Sequence, residues 1–222
     1  MISIAICSCL NKPEREEYLK RAIDSIRGVF EDDVEILIGF DKYGKEIDGA
    51  TCYTHERGMG HSWNWAIQNA SNEHILQIED DWTIEVGGGN MPTMPDKESF
   101  FYYLNNRISV LDEFGGIFRF TNTDDQFWSP GKTEHVLNDF KFTESNRPNE
   151  FKIGTWDMYF YTNQPHMKKK GLHNDVGWYV ENEPAHVVEI DMCRKFYNSG
   201  KRSFLNPFFT LVHIGHVQSR SK

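Results

Sequence analysis

The chain has 222 residues, enough to bury a sizeable core as one large domain or two small ones, and its 39% hydrophobic and 26% charged content is that of a water-soluble globular protein. A formal net charge of −9 gives it no generic attraction to nucleic acid or to an anionic membrane surface. No stretch approaches the roughly 18 uninterrupted apolar residues that a membrane span needs.

In chain order, "MISIAICSCLNKPERE" begins with an apolar run that no basic region precedes, so Ile2 to Cys9 reads as a first β-strand, not a signal peptide. Cys7 and Cys9 share one face of that strand. With Cys52 and Cys193 they match neither a disulfide framework nor paired zinc spacing, which predicts free thiols and a cytoplasmic location. Asn11 and Pro13 open a helix with Glu14, Glu16 and Glu17 in its first turns, as the helix dipole favours. Leu19, Ala22, Ile23 and Ile26 form its buried stripe, and Gly28 is its expected end. "VEILIGF" (34–40) is a second strand and "ATCYTH" (50–55) a short third. "GHSWNWAIQNA" is a helix turning Trp63, Ala66, Ile67 and Ala70 inward.

The strand "HILQI" (74–78) ends in three consecutive carboxylates, Glu79, Asp80 and Asp81. Like charges so close raise one another's pKa values, so a positive partner is expected, with a metal ion the leading choice. Alternating strands and helices predict a helix-flanked parallel sheet, in which ligands bind beyond the carboxyl ends of the strands. The acids stand at that edge.

The second half changes character. Residues 96–114 read as a helix, "GGIFRF" as a strand, and 121–150 as a long polar loop suited to a binding lid. "WDMYFYT" reads as a strand and "PHMKKKG" as a short helix whose Lys168, Lys169 and Lys170 form a solvated end. "EPAHVVEIDMCRKFYNSG" is a helix between Pro184 and Gly200, and "FLNPFFTLVHIGH" a last strand region. One domain is expected, with residues 1–86 and 87–222 as its two halves.

Several segments together resemble a family 2 glycosyltransferase of the GT-A fold. "SIAICSCLNKPEREEYLKRAIDSI" resembles that family's opening strand, loop and helix. "VEILIGFDK" resembles its second strand, which ends in an acid, here Asp41. "ERGMGHSWNWAIQNASNEHILQIEDDW" is the most specific piece, with Gly58, Gly60, Asn64 and Ala66 in register. Glu79 and Asp81 take the two acidic positions of the family's DxD motif, and "VEIDMCRKFYNSGKR" resembles its later acidic helix. The chain departs from the pattern in having Glu at the first DxD position, in lacking Pro-Thr-Tyr in the first loop, and in carrying Val188 where the family has Glu.

The resemblance implies an α/β three-layer sandwich with a mainly parallel sheet. It further implies inverting, metal-dependent transfer of a hexosyl or N-acetylhexosaminyl group from a nucleotide sugar, with UDP the expected nucleotide. Glu79 and Asp81 would hold Mn²⁺ or Mg²⁺, hard cations that take oxygen ligands. His213 and His216 of "LVHIGH" would stand near the metal, and Asp80 would support its neighbours. Asp41, Ser8, Leu10 and Asn11 would line the nucleotide pocket, while Arg57, Gly58 and Asn64 belong to the donor side.

A base must take the acceptor's proton, and Glu181, Glu183 and Glu189 compete for that role. A helical wheel over 185–197 puts Ala185, Val188, Met192 and Phe196 on one face, with Glu189 within it and Asp191 outside. Periodicity and family register therefore agree on Glu189. Trp128, Trp156, Trp178 and Tyr179 are candidates to stack on the acceptor. A saccharide or lipid-linked glycan is the expected acceptor class, with a hydroxylated DNA base a minority alternative. Two other readings stand beside this one. The first is a non-catalytic sugar-nucleotide or glycan-binding protein. The second, a nucleotidyltransferase, would want a Gly-rich phosphate loop that "CSCLNKPERE" lacks.

Overall fold

The computed structural model describes residues 1–31, 33–86, 96–120, 132–153, 161, 164–205 and 211–215. Their elements are β1 (Ser3–Ser8), α1 (Pro13–Phe30), β2 (Glu35–Asp41), β3 (Thr51–His55), α2 (Gly58–Asn69), β4 (His74–Glu79), β5 (Trp82–Ile84) and α3 (Lys97–Phe114). There follow β6 (Ile117–Arg119), β7 (Lys132–Leu137), β8 (Phe140–Ser145), β9 (His166–Lys169), α4 (Leu172–Val176), α5 (Ala185–Ser199), β10 (Ser203–Leu205) and β11 (Leu211–His213).

Nine strands form one sheet in the order β3-β2-β1-β4-β9-β6-β10-β8-β7. Among the described residues only β8 and β9 run against the other strands of that sheet. Period-two alternation sorts each central strand between two cores. Ile4, Ile6, Ile36, Ile38, Leu76 and Ile78 meet α1 and α3 on one face. Ala5, Cys7, Leu37 and Ile75 meet α2, α4 and α5 on the other. The result is the expected three-layer α/β sandwich, with a sheet that carries more reversed strands than the βαβ opening suggests.

The structure corrects several expectations. α1 does not stop at Gly28 but runs to Phe30, because Val29 and Phe30 are buried and their packing outweighs the roughly 1 kcal/mol that a helical glycine costs. The polar stretch read as a loop contains a hairpin, β7–β8, closed by Asn138 and Asp139 at φ 49° and 65°. Two central residues with positive φ make the turn that matches strand twist. "PHMKKKG" is not a helix: it holds the strand β9, inserted between β4 and β6.

Lys168 is therefore not solvated but wholly buried, its amine donating to Gln77 Oε1 at 2.5 Å and to Tyr179 OH at 3.4 Å. Burial pushes its pKa well below the ordinary lysine value. Of "WDMYFYT" (156–162) only Tyr161 is among the described residues; the rest, Trp156 included, lies outside them, as do Trp128 and His216. The four cysteines are free, as expected. No helix among the described residues is long and apolar enough to cross a membrane.

Candidate active site

The parallel register sets Cys7 beside both Gly39 and Glu79, so β1, β2 and β4 end together and present Ser8, Asp41 and Glu79 at one edge. After Glu79 the chain makes a tight turn through Asp80 and Asp81 and returns as β5. β5 pairs antiparallel with β11, matching Trp82 to His213, and the N–H of Ile214 donates to the carbonyl of Asp81 at 2.8 Å. This small second sheet carries His213 to the acids, its Nε2 lying 3.2 Å from Asp81 Oδ2. Gly215 completes the fit: a Cβ there would lie 2.7 Å from Asp81 Oδ2.

A cation from the protein itself already faces the turn. Arg15, in the first turn of α1, pairs with Asp80 Oδ1 and lies 3.1 Å from Asp81 Oδ2. Ser8 Oγ donates to the other oxygen of Asp80 at 2.5 Å. The expected positive partner is thus in part a guanidinium. Sequence reasoning passed over Arg15, although it left a signal: a basic residue among the acids of a first turn opposes the helix dipole.

The three carboxyls have different fates. Glu79 keeps some solvent contact, yet burial first, and then the charges of Asp81, Asp80 and Glu189, push its pKa up to about 8 despite Arg15. Burial raises Asp80 to about 6, against the pull of Arg15 and Ser8. At Asp81 burial is outweighed by the hydrogen bond and charge of His213 and by Arg15, so it stays below its ordinary value and ionised.

A different carboxylate, Glu181, has its own set of partners. It accepts from Asn64 Nδ2 at 2.9 Å, pairs with Arg57 and lies 3.0 Å from His61 Nδ1. Burial acts to raise its pKa, but Asn64, His61 and Arg57 together hold it below the ordinary carboxylate range. Asn64 is fully engaged, since its amide also donates to the carbonyl of Tyr179 and accepts from the N–H of Tyr179. Gly60 lies so close to this segment that a Cβ would meet the Val180 carbonyl at 1.9 Å. The Gly58–Gly60–Asn64 pattern therefore clamps α2 to the 179–183 segment. Arg57 spends its charge on Glu181, and Asp41 Oδ1 accepts the N–H of Gly58 at 3.1 Å, fixing the start of α2.

Leu10 is part-buried with its N–H on the carbonyl of Tyr43 at 2.9 Å, and Asn11 is exposed at the mouth of the edge. Glu183 is exposed just ahead of α5. Glu189 is part-buried on α5 between Val188 and Met192, and its charge reaches Glu79, Tyr161, Tyr179 and Cys193. It is thus near enough to Glu79 for the two charges to act on each other. Ala185, expected on the buried stripe, is exposed in the first turn. Asp191 is half-buried, lying 2.6 Å from Lys195 and 3.1 Å from Arg194. Trp178 stacks on His173, with centroids 5.0 Å apart, and Tyr179 is buried in the polar network around Lys168, which gives both a packing role.

The donor set at the β4 end suits a hard divalent cation. Asp81 Oδ1 is buried with no hydrogen-bond partner among the described residues, and Glu79 is held in a form that a nearby cation would convert to the anion. Among the described residues, no group of three or more His, Cys, Asp or Glu side chains converges into a ready-made metal cage. Any such ion would have to draw further ligands from water or substrate.

These features can be set beside solved structures. Residues 1–349 of S. aureus TarS match with a TM-score of 0.53 at 15% identity, over 92% of this chain and 57% of that one. A longer S. aureus TarS structure matches with a TM-score of 0.54 at 12% identity, over 92% of this chain and 35% of that one. The fold is GT-A-like. At such identity the likeness establishes architecture alone, and the chain spans little more than half of the shorter TarS structure. No family model matches the sequence, and no curated protein does.

Proposed function

We propose that the protein is an inverting glycosyltransferase that moves a hexosyl or N-acetylhexosaminyl group from a nucleotide sugar, UDP-linked, to the hydroxyl of a saccharide or lipid-linked glycan. The observation that carries this reading is the β4 end: three carboxyls at the ligand edge of a GT-A-like sheet, with an unsatisfied buried oxygen on Asp81 and Glu79 pushed up to about 8. Such a site is unfavourable in isolation and becomes favourable when it receives positive charge. In this reading residues 1–86 bind the donor and 87–222 the acceptor, within one domain in the cytoplasm.

Asp81 and Glu79 would hold Mn²⁺ or Mg²⁺, with His213 beside them. When bound, the ion supplies Lewis-acid neutralisation of the departing diphosphate. Asp80, tied to Ser8 and Arg15, holds the turn in shape. Ser8, Leu10, Asn11 and Asp41 border the pocket for the nucleotide. Glu189 takes the proton of the acceptor hydroxyl as its oxygen bonds to the anomeric carbon and the bond to the diphosphate breaks. It is the best placed of the three candidate bases, because Glu181 is committed to Arg57, His61 and Asn64, Glu183 is exposed, and the charge of Glu189 reaches Glu79.

A second reading, sugar-nucleotide binding without catalysis, draws on the Arg15 pairing, which already neutralises part of the cluster. Incubation with a panel of labelled sugar nucleotides, with and without Mn²⁺, separates the two. Metal-dependent donor hydrolysis and acceptor-dependent release of nucleoside diphosphate support transfer. Binding without turnover of any donor supports the second reading.

A further inference from the structure

Arg15 is the charged neighbour of the acid cluster to which the proposed reaction gives no part in the chemistry. Its guanidinium bridges Asp80 Oδ1 and Asp81 Oδ2, where Asp80 is wholly buried and Asp81 nearly so, while Arg15 itself keeps 31% of its side chain exposed at the rim. Both oxygens of Asp80 are thereby occupied, one by Arg15 and one by Ser8. Asp81 Oδ2 is shared between Arg15 and His213, which leaves Asp81 Oδ1 and the Glu79 carboxyl to face an incoming ion. Two protein groups fall well short of the roughly six oxygens that a Mg²⁺-like cation takes, and the charge they offer is already diluted by the guanidinium.

From this arrangement, and resting on the reading that the cluster receives a divalent cation, we infer that Arg15 is a resident counter-ion that holds down the cation affinity of the free protein. Divalent cation then binds well only together with a nucleoside diphosphate, whose oxygens complete the shell and whose negative charge restores what Arg15 cancels. Arg15 is a positioning residue in this account: it acts through Asp80 and Asp81, not on the sugar. Coupling of this kind is reciprocal, so the diphosphate also binds weakly without the cation.

The test is calorimetric titration of the full chain with Mn²⁺, with and without saturating UDP, for wild type, Arg15→Gln and Arg15→Lys. Wild type should bind Mn²⁺ weakly alone and at least tenfold more tightly with UDP. Removing one positive charge in contact with the ligands should tighten Mn²⁺ binding to the Arg15→Gln protein alone by on the order of tenfold and shrink the UDP effect, while Arg15→Lys stays near wild type. Unchanged or weaker binding of Mn²⁺ alone by Arg15→Gln overturns the inference while leaving the metal reading intact. Failure of wild type and both variants to bind Mn²⁺ even with UDP overturns that reading and the inference with it. Should Arg15→Gln unfold, its recovery of native circular dichroism on adding Mn²⁺ supports exchange between guanidinium and cation. Failure to recover overturns the inference and marks Arg15 as a structural residue.

Discussion

Two acidic groups, Glu181 and the carboxyls at the end of β4, contrast a settled charge with a poised one. Around Glu181 every charge is answered: Asn64, Arg57 and His61 converge on it, and its carboxyl stays low. At the end of β4 the charges are answered only in part. Arg15 and His213 satisfy Asp80 and one side of Asp81, yet Glu79 rises to about 8 and Asp81 Oδ1 has no hydrogen-bond partner among the described residues. The same residue types thus serve two ends: one group joins α2 to the 179–183 segment, and the other holds unbalanced charge where a ligand can balance it.

The largest expected effect that separates them is loss of turnover. Asp81→Ala removes the ionised acid with the unsatisfied oxygen and should abolish transfer, whereas Glu181→Gln should leave at least a tenth of the wild-type kcat in the same assay. Equal loss in both would erase the distinction between the two groups. Next in size, Glu189→Gln should lower kcat by about 10²- to 10⁴-fold, the usual contribution of a general base, while nucleotide-sugar binding measured by calorimetry stays unchanged. Full activity would move the base to Glu183 or Glu181.

A smaller effect concerns the clamp. Asn64→Ala leaves the N–H and carbonyl of buried Tyr179 without their side-chain partner and should cost about 2 kcal/mol in urea unfolding. A cost near zero would show that α2 and the 179–183 segment do not depend on it.

The last effect is a shift of stability with pH, and here the two acidic groups should differ in sign. The folded state holds the proton on Glu79 up to about pH 8, while the unfolded chain releases it near 4.5. Between those values the folded state binds more protons, so this site lowers stability as pH rises through the window. Glu181 does the opposite: its depressed folded pKa contributes stability above the ordinary value of 4.5 that is lost as pH falls through the folded one. In chelator at pH 7, Glu79→Gln should therefore stabilise the protein by on the order of 2 kcal/mol, a rise of about 5 °C in Tm. No rise, or a fall, would show that Glu79 has already found a cation within the protein.

Much of the fold was legible because its first half repeats strong local signals. The apolar runs of β1, β2 and β4 and the stripe of α1 are written in periodicity, and the acids follow from where β4 ends. The second half misled for physical reasons. His166, Met167, Lys168 and Lys169 read as a helix because three consecutive lysines signal solvent. Lys168 is tolerated inside a central strand because Gln77 and Tyr179, distant in sequence, accept hydrogen bonds from its buried amine. The β7–β8 hairpin was hidden by its polar edge strand, although Asn138–Asp139 offered a turn signal. Strand ends, a polar residue inside an apolar strand and the family resemblance singled out Glu79, Asp81 and His213, and the structure sets His213 against Asp81 at the end of β4. Arg15 was not singled out, since its partners lie more than sixty residues away and only its opposition to the helix dipole set it apart.

The central claim is that the charge left unbalanced at the end of β4 is completed by a divalent cation during transfer. The most direct measurement is the initial rate of nucleoside diphosphate release from the nucleotide sugar that the panel identifies, after exhaustive chelation and then on graded return of Mn²⁺. The account predicts a rate that falls to background and returns saturably with Mn²⁺ in wild type but not in Asp81→Ala. A rate that chelation leaves untouched would contradict it.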